Sequence, residues 1–386
     1  MKNRLTKLAL FSAAFLTLMT SQIASSILGP LKQAFPEAHD TQIQLVYTIV
    51  SIASFFTSFL CGFLIRRKKR ALLFGIVCFT LGGLLTGTAR SLPVLLLFRV
   101  VTGIGSGIIT PVVNGLFSDI TPPKERPRTL GLIGTISQAG SICASLGAGL
   151  LAGISWRSAF VLFALGLVPL CLIPHNLQEI TVERKTNDNL LTRPVPARIF
   201  VLAVVNFFFG CIFSSSFTNL SIWMTENGIS SGKGGIAISM AATGAMLFCW
   251  LTPRFLQWMK GFTVSFFWLM IAAMYLLISR SPSAFSVGVA MFGMGVFGGM
   301  FSVSVNNATL QTADKDNSVI HMSIVGSANM LGGFLCPYVF SLTGKILGNG
   351  SIPFGFQINA LESLGMAVAC LFVFDRHMSR RPVSSR

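Results

Sequence analysis

Apolar residues run along this chain in long, nearly unbroken stretches separated by short polar breaks. The stretches cover roughly 8–28, 43–65, 71–89, 93–117, 129–152 and 157–174. After one longer break they resume at roughly 199–223, 234–252, 262–279, 284–309, 319–343 and 354–374. A helix needs about 20 residues to cross the hydrocarbon core of a bilayer. Within lipid every backbone N–H and C=O must find its partner inside the protein, so only helices and closed barrels span. Runs this long and continuous predict an all-α membrane protein with twelve transmembrane helices. The first stretch, Leu8 to Leu28, is too long for the core of a signal peptide, about 7 to 15 residues, and is expected to be a retained first span.

Lysine and arginine predict the orientation. With the N-terminus in the cytoplasm, 22 of the 29 basic residues fall in cytoplasmic segments, including Arg66 to Arg70 and Lys124, Arg126 and Arg128. Only Lys32, Arg90, Arg157, Lys233, Arg280 and Lys345 fall outside, and Arg99 lies within a span. Short cytoplasmic loops are enriched in Lys and Arg, so both termini are expected inside.

The longest polar break, 175–198, carries Glu179, Glu183, Arg184, Lys185, Asp188, Arg193, Pro194 and Pro196. It reads as a cytoplasmic linker between a six-helix bundle at 1–174 and a second at 199–386 that ends in a short basic tail. The halves echo each other. Gly103 and Gly105 match Gly293 and Gly295 at one spacing, and Gly134 and Gly140 match Gly326 and Gly332 at a spacing only slightly larger. Equal helix counts and recurring glycines suggest a parallel repeat about an axis along the membrane normal.

Composition narrows the class. Hydrophobic residues make up 52% of the chain and charged ones 11%, against about 25% charged in soluble proteins. The net charge of +17 would suggest nucleic acid in a soluble protein, but these cations sit in loops between spans, and no nucleic-acid partner is expected. The eight cysteines lie in or beside apolar runs without any C-x-x-C, which offers neither a zinc site nor a disulfide framework. The four histidines, at 39, 175, 321 and 377, sit in or near loops without metal spacing. No phosphate-binding glycine loop is present, so no nucleotide or other cofactor is expected.

Several local motifs point the same way. Gly62-Phe63-Leu64-Ile65-Arg66-Arg67-Lys68-Lys69-Arg70 stands between the second and third spans. Arg99-Val100-Val101-Thr102-Gly103-Ile104-Gly105 lies in the fourth span, and Ser118-Asp119-Ile120-Thr121-Pro122-Pro123-Lys124-Glu125-Arg126 ends it. The fifth span carries Gly140, Gly147, Gly149 and Gly153, and Trp156-Arg157-Ser158-Ala159-Phe160 opens the sixth. In this order the motifs resemble those of the major facilitator superfamily: G-x-L-a-D-R-x-G-R-R/K, R-x-x-x-G-x-G, a cytoplasmic loop of Asp, Pro and Glu-Arg, a glycine-rich fifth helix and W-R-x-x-F. The resemblance is to the twelve-helix drug and metabolite efflux branch, with drug–proton antiporter character. Two departures stand out. Arg66 takes the place of the family's loop Asp, and Ala144-Ser145 replaces the Gly-Pro of the fifth helix.

The resemblance implies a multi-pass cell inner-membrane transporter, not an enzyme, that works by alternating access. It implies a small-molecule substrate, a lipid environment, protons as the candidate coupling ion and a monomer. Helices 1, 4, 7 and 10 would line a central cavity, with helices 2, 5, 8 and 11 flanking it. On that scheme the candidate cavity or coupling residues are Arg99, Gln22, Asn114, Gln138, Asn206, Asn219, Asn306, Asn307 and Asn329. A charge inside a span is costly unless it faces water or a partner, which singles out Arg99. The alternative for the amides is hydrogen bonding between helices. The cavity helices hold no mid-membrane acid, so candidate proton carriers are Glu362, near the outer end of the last span, and Glu37 and Asp40 in the first outer loop. Arg66, Arg67, Arg70, Asp119, Asp314 and Asp316 are candidates for a cytoplasmic gate with the family's polarity reversed. A plain basic topology loop is the alternative there. An importer or exchanger of an anionic metabolite, and a non-transporting receptor, stay open beside the exporter.

Overall fold

The computed structural model describes residues 2–64, 67–122, 126–179, 195–248, 251–258, 263–280, 283–312 and 318–372. These residues are overwhelmingly helical. The elements are α1 (Lys2–Leu16), α2 (Met19–Ala34), α3 (Asp40–Leu64), α4 (Lys68–Thr88), α5 (Leu92–Ile120) and α6 (Arg126–Ala152). A 3₁₀ segment (Ser158–Gly166) leads into α7 (Leu167–Asn176). Then follow α8 (Ala197–Glu226), α9 (Ser231–Phe248), α10 (Thr252–Trp258), α11 (Thr263–Arg280), α12 (Ala284–Thr312), α13 (Ser318–Ile346) and α14 (Ile352–Cys370). Among the described residues nine segments are long and apolar enough to cross a membrane, the first being α1 and α2 taken together.

Local sequence sets many of the boundaries. Ser91 and Ser351 are extended, and each is followed by a helix with proline in its first turn, where the missing N–H costs nothing. Gly228 and Gly348 close α8 and α13 with φ of 71° and 70°. In both turns the next residue's N–H reaches back into the helix, Ile229 to the Met224 carbonyl at 2.8 Å and Asn349 to the Gly344 carbonyl at 3.0 Å. Only glycine adopts that left-handed conformation without strain, and the bond satisfies carbonyls that the helix end would leave orphaned.

The chain divides into two compact units. One contains the described residues within Met1–Asn189 together with Met224–Ser239, and the other those within Leu190–Trp223 and Met240–Arg386. In the first unit α5 lies tightly between α3 and α4. A Cβ on Gly103 would sit 3.0 Å from the Val50 carbonyl oxygen, and one on Gly82 would sit 2.7 Å from the Thr102 nitrogen. Ser54 and Ser58 then donate to the carbonyls of Gly103 and Gly107 at 2.9 and 2.8 Å. Small residues let membrane helices approach until such bonds form. In the second unit the same kind of approach brings Gly295 onto the Ala241 carbonyl, and Gly244 onto that of Phe292.

Contacts within the first unit recur within the second at one constant sequence offset. Gly140 abuts the Phe15 carbonyl, and Gly332 abuts the Phe207 carbonyl. Ser137 donates to the Ala14 carbonyl at 3.0 Å, and Asn329 donates to the Asn206 carbonyl at 3.3 Å. The glycines of the fourth span follow the same offset. Gly103 contacts α3 as Gly295 contacts α9, which makes Gly295 its counterpart and corrects the match to Gly293.

Candidate functional site: polar groups inside the two bundles

Arg99 has no exposed surface, although its helix carries fully lipid-suited neighbours such as Leu97, 62% exposed. Its Nε donates to the Val46 carbonyl at 2.8 Å. One terminal nitrogen donates to Thr20 Oγ1 and the other to the Thr20 carbonyl, each at 3.1 Å. Among the described residues no carboxylate forms an ion pair with it. The guanidinium therefore joins three helices, α2, α3 and α5, through two backbone carbonyls and one hydroxyl. Its planar fork of donors suits this role, since several fixed acceptors can be met at once.

The second unit holds the equivalent carbonyl by another route. Ile212, which stands in α8 where Thr20 stands in α2, accepts a hydrogen bond from the Tyr275 hydroxyl of α11. Tyr275 is fully buried. It is one of only three tyrosines in the chain, and its hydroxyl inside an apolar run is the one mark it leaves in the sequence.

The amides divide into two groups. Asn206 donates to the Val325 carbonyl at 2.8 Å, Asn329 returns to Asn206, and both act at the seam between α8 and α13. Asn219 is fully buried and bonds Ser215 and Thr218 of its own helix. Asn359 of α14 joins the same cluster by donating to Ser215 Oγ at 2.7 Å. By contrast, Asn114 and Asn306, which share the constant offset, are exposed at matching places on α5 and α12. Gln138 and Asn307 are half-buried. Gln22 is half-buried too, and its Oε1 is enclosed without a hydrogen-bond partner.

The acids lie apart from one another. Glu37 is exposed, and Asp40 pairs with Lys32 at 2.6 Å. Glu362 is half-buried near the middle of α14.

At the start of α4 the basic run is engaged by acids of its own unit. Lys68 pairs with Asp119 at 2.6 Å. Glu179 accepts the Lys69 backbone N–H at 2.9 Å and lies 3.8 Å from Arg70 Nε. In return Lys69 Nζ donates to the Pro174 carbonyl in the last turn of α7 at 2.8 Å. A carboxylate thus caps a helix N-terminus and an ammonium caps a C-terminus, each favoured by the helix dipole. Arg67 is exposed, and Arg66, Asp314 and Asp316 lie outside the described residues. Glu179 was not singled out from sequence, because nothing in a polar linker marks which acid meets a helix so distant along the chain.

At the far end of α4, the Arg157 guanidinium stacks over the Trp156 ring, 4.6 Å from its centroid, and donates to the Ala89 carbonyl at 3.3 Å. The W-R-x-x-F motif therefore locks the 3₁₀ segment onto the end of α4.

Comparisons with known proteins agree with this architecture. The family model for the Major Facilitator Superfamily matches residues 10–337. Multidrug resistance protein 3 of Bacillus subtilis is 32% identical over 120 residues, which is 31% of this chain and 23% of that protein. Quinolone resistance protein NorA of Staphylococcus aureus is 24% identical over 205 residues, 51% of this chain and 53% of that protein. The chain thus spans between about a quarter and about half the length of these curated relatives. Among solved structures, an auto-inhibited POT family peptide transporter superposes with a TM-score of 0.78 at 12% identity, covering 99% of this chain and 98% of that one. The nucleoside transporter NupG gives 0.73 at 14% identity, with 98% and 100% covered. At such identities these structures speak for the fold alone.

Proposed function

The chain belongs to the Major Facilitator Superfamily, and we propose that it is a secondary active transporter that exports a small organic molecule by alternating access. Family membership makes it a multi-pass membrane transporter and not an enzyme. The further reading is of twelve spans with both termini cytoplasmic, in six-helix bundles at 1–174 and 199–386 joined by the linker at 175–198. Rocking of two such repeats about a midplane site exposes it to each side in turn. A monomer in the cell inner membrane suffices for that cycle.

Export of a drug-like or metabolite substrate is carried by the similarity to a multidrug and a quinolone resistance protein. The buried Arg99 weighs against the rival reading, import or exchange of an anionic metabolite, because its donors are already directed at the carbonyls of Val46 and Thr20. Asn114, Asn306, Asn307, Gln22 and Gln138 remain the candidates for substrate contact. Exchange for protons would require an acid, and Glu362 is favoured over Glu37 and Asp40 by its place along a membrane helix.

The test is accumulation of a fluorescent quinolone in cells that lack their own exporters. Cells with the protein in their membranes should hold less of the compound than cells with an empty vector. Equal accumulation, with a panel of weak bases and organic anions also unaffected, contradicts export and points to a receptor.

A further inference from the structure

The first span of this chain is jointed where its counterpart in the second unit is continuous. Helix α1 ends at Leu16 and α2 begins at Met19, with Leu18 at φ −100° and ψ −8°. In α8 the equivalent stretch, placed by the constant offset between the units, lies inside one uninterrupted helix, Ala197–Glu226. The cause is local. The Thr17 N–H bonds the Ala14 carbonyl in the preceding turn at 3.2 Å, and Thr17 Oγ1 bonds the same oxygen at 2.8 Å. A threonine hydroxyl that bonds back to the preceding turn competes with the backbone ladder and bends the helix. Phe209 stands at that place in α8 and has no such hydroxyl.

The bundle grips the chain on both sides of this point, and does so at equivalent carbonyls in the two units. Below it, Ser137 holds the Ala14 carbonyl as Asn329 holds that of Asn206. Above it, Arg99 holds the Thr20 carbonyl as Tyr275 holds that of Ile212. Between equal anchors, one span carries a joint and the other is a rod. Thr17 Oγ1 also lies 2.9 Å from Ser137 Oγ, so its one proton is shared between the Ala14 carbonyl and Ser137 and ties the lower anchor to the joint.

We propose that Thr17–Leu18 is a hinge of the transport cycle, at which α1 pivots against an α2 fixed by Arg99, with Ser137 as the catch that releases it. The proposal rests on the alternating-access reading, but its first test needs no transport. Hydrogen exchange is followed by mass spectrometry on the full chain in nanodiscs, comparing peptides that cover 13–23 with those that cover 205–215. The jointed segment should exchange at least about tenfold faster, as a locally opening element does. Thr17→Ala replaces the competing hydroxyl with the best helix former, and should bring 13–23 close to the rate of 205–215. The same variant should slow quinolone efflux about fivefold or more, with expression unchanged. Ser137→Ala removes the catch and should speed exchange of 13–23 about threefold, leaving 205–215 unmoved. Equal exchange of the two segments in the unaltered protein overturns the hinge. So does full efflux by Thr17→Ala once its exchange has slowed. If no compound is moved by any variant while the exchange differences hold, the transport reading fails and the joint stands.

Discussion

The Ser137 hydroxyl lies 3.0 Å from the Ala14 carbonyl oxygen, and this bond reappears in the second unit between Asn329 and Asn206. One turn further along, Gly140 and Gly332 meet the carbonyls of Phe15 and Phe207. Two bundles built from different side chains thus keep one seam. Substituting either glycine by leucine should be severe, because a Cβ there collides with backbone that cannot step aside. Gly140→Leu and Gly332→Leu should each cost several kcal/mol, on the order of 3 or more, and lower the yield of folded protein. Gly134→Leu and Gly326→Leu, where a Cβ meets nothing within 4 Å, should be tolerated. Fluorescence-detected size-exclusion profiles of the four variants check this.

Arg99→Ala should abolish efflux while the protein still inserts. It leaves the Val46 and Thr20 carbonyl acceptors without their donor and opens a cavity, at a cost of about 2–5 kcal/mol. Arg99→Lys keeps the charge but only part of the fork, and should restore stability partly. Tyr275→Phe removes the matching bond in the second unit and should cost about 1–2 kcal/mol. Thermal denaturation in detergent ranks the three. Wild-type efflux by Arg99→Ala would remove this residue from the mechanism.

The cap at the start of α4 gives a smaller effect. Glu179→Ala strands the Lys69 N–H and should cost about 1 kcal/mol, the usual value of an N-cap. Arg70→Ala should change stability little, since that pair is 3.8 Å apart and Arg70 is 72% exposed. Denaturation midpoints at low and high salt separate the two, because only the ion-pair part is screened.

With Lys68, Lys69 and Arg70 turned toward acids and carbonyls of their own unit, a reversed cytoplasmic gate falls to Arg66 and Arg67. Arg66→Asp should then shift the protein toward inward-open, and adding Asp314→Arg should partly restore it. About 1.4 kcal/mol moves a two-state ratio tenfold, so a modest pair suffices. Labelling of cysteines placed on α5 and α12 from each side of the membrane reads the shift. Unchanged labelling would reduce the basic run to a topology signal.

How far the chain could be read from its residues follows from what each feature needs. Long apolar runs announce helices because lipid leaves only helices and closed barrels and a barrel strand is far shorter, and charge bias in the loops predicts their orientation. The cost of burying Arg99 was equally plain, but its partners were not, since backbone carbonyls carry no sequence mark. Asn206 and Asn329 stood out as polar groups in lipid, yet only helix packing decides that they bond across a seam within one unit. The same limit explains the glycines. Spacing alone pairs Gly103 with Gly293, whereas contact with the neighbouring helix pairs it with Gly295. The break at Thr17 was hidden inside an apolar run, because one threonine hydroxyl does not interrupt hydrophobicity.

Proton coupling is most directly assigned by neutralising the acids singly. Glu362→Gln should abolish efflux driven by an imposed pH gradient and leave downhill exchange intact, while Glu37→Gln and Asp40→Asn should retain at least about half of it. Full coupling in all three variants would exclude these acids.

Movement of a small organic molecule across a sealed membrane is measured with the purified protein in liposomes. A fluorescent quinolone is supplied on one side and a pH gradient is imposed across the bilayer. Uptake against the quinolone gradient is expected, collapsing when a protonophore is added and lost in Arg99→Ala. Movement no faster than in protein-free liposomes, for the quinolone and for a panel of weak bases and organic anions alike, would contradict it.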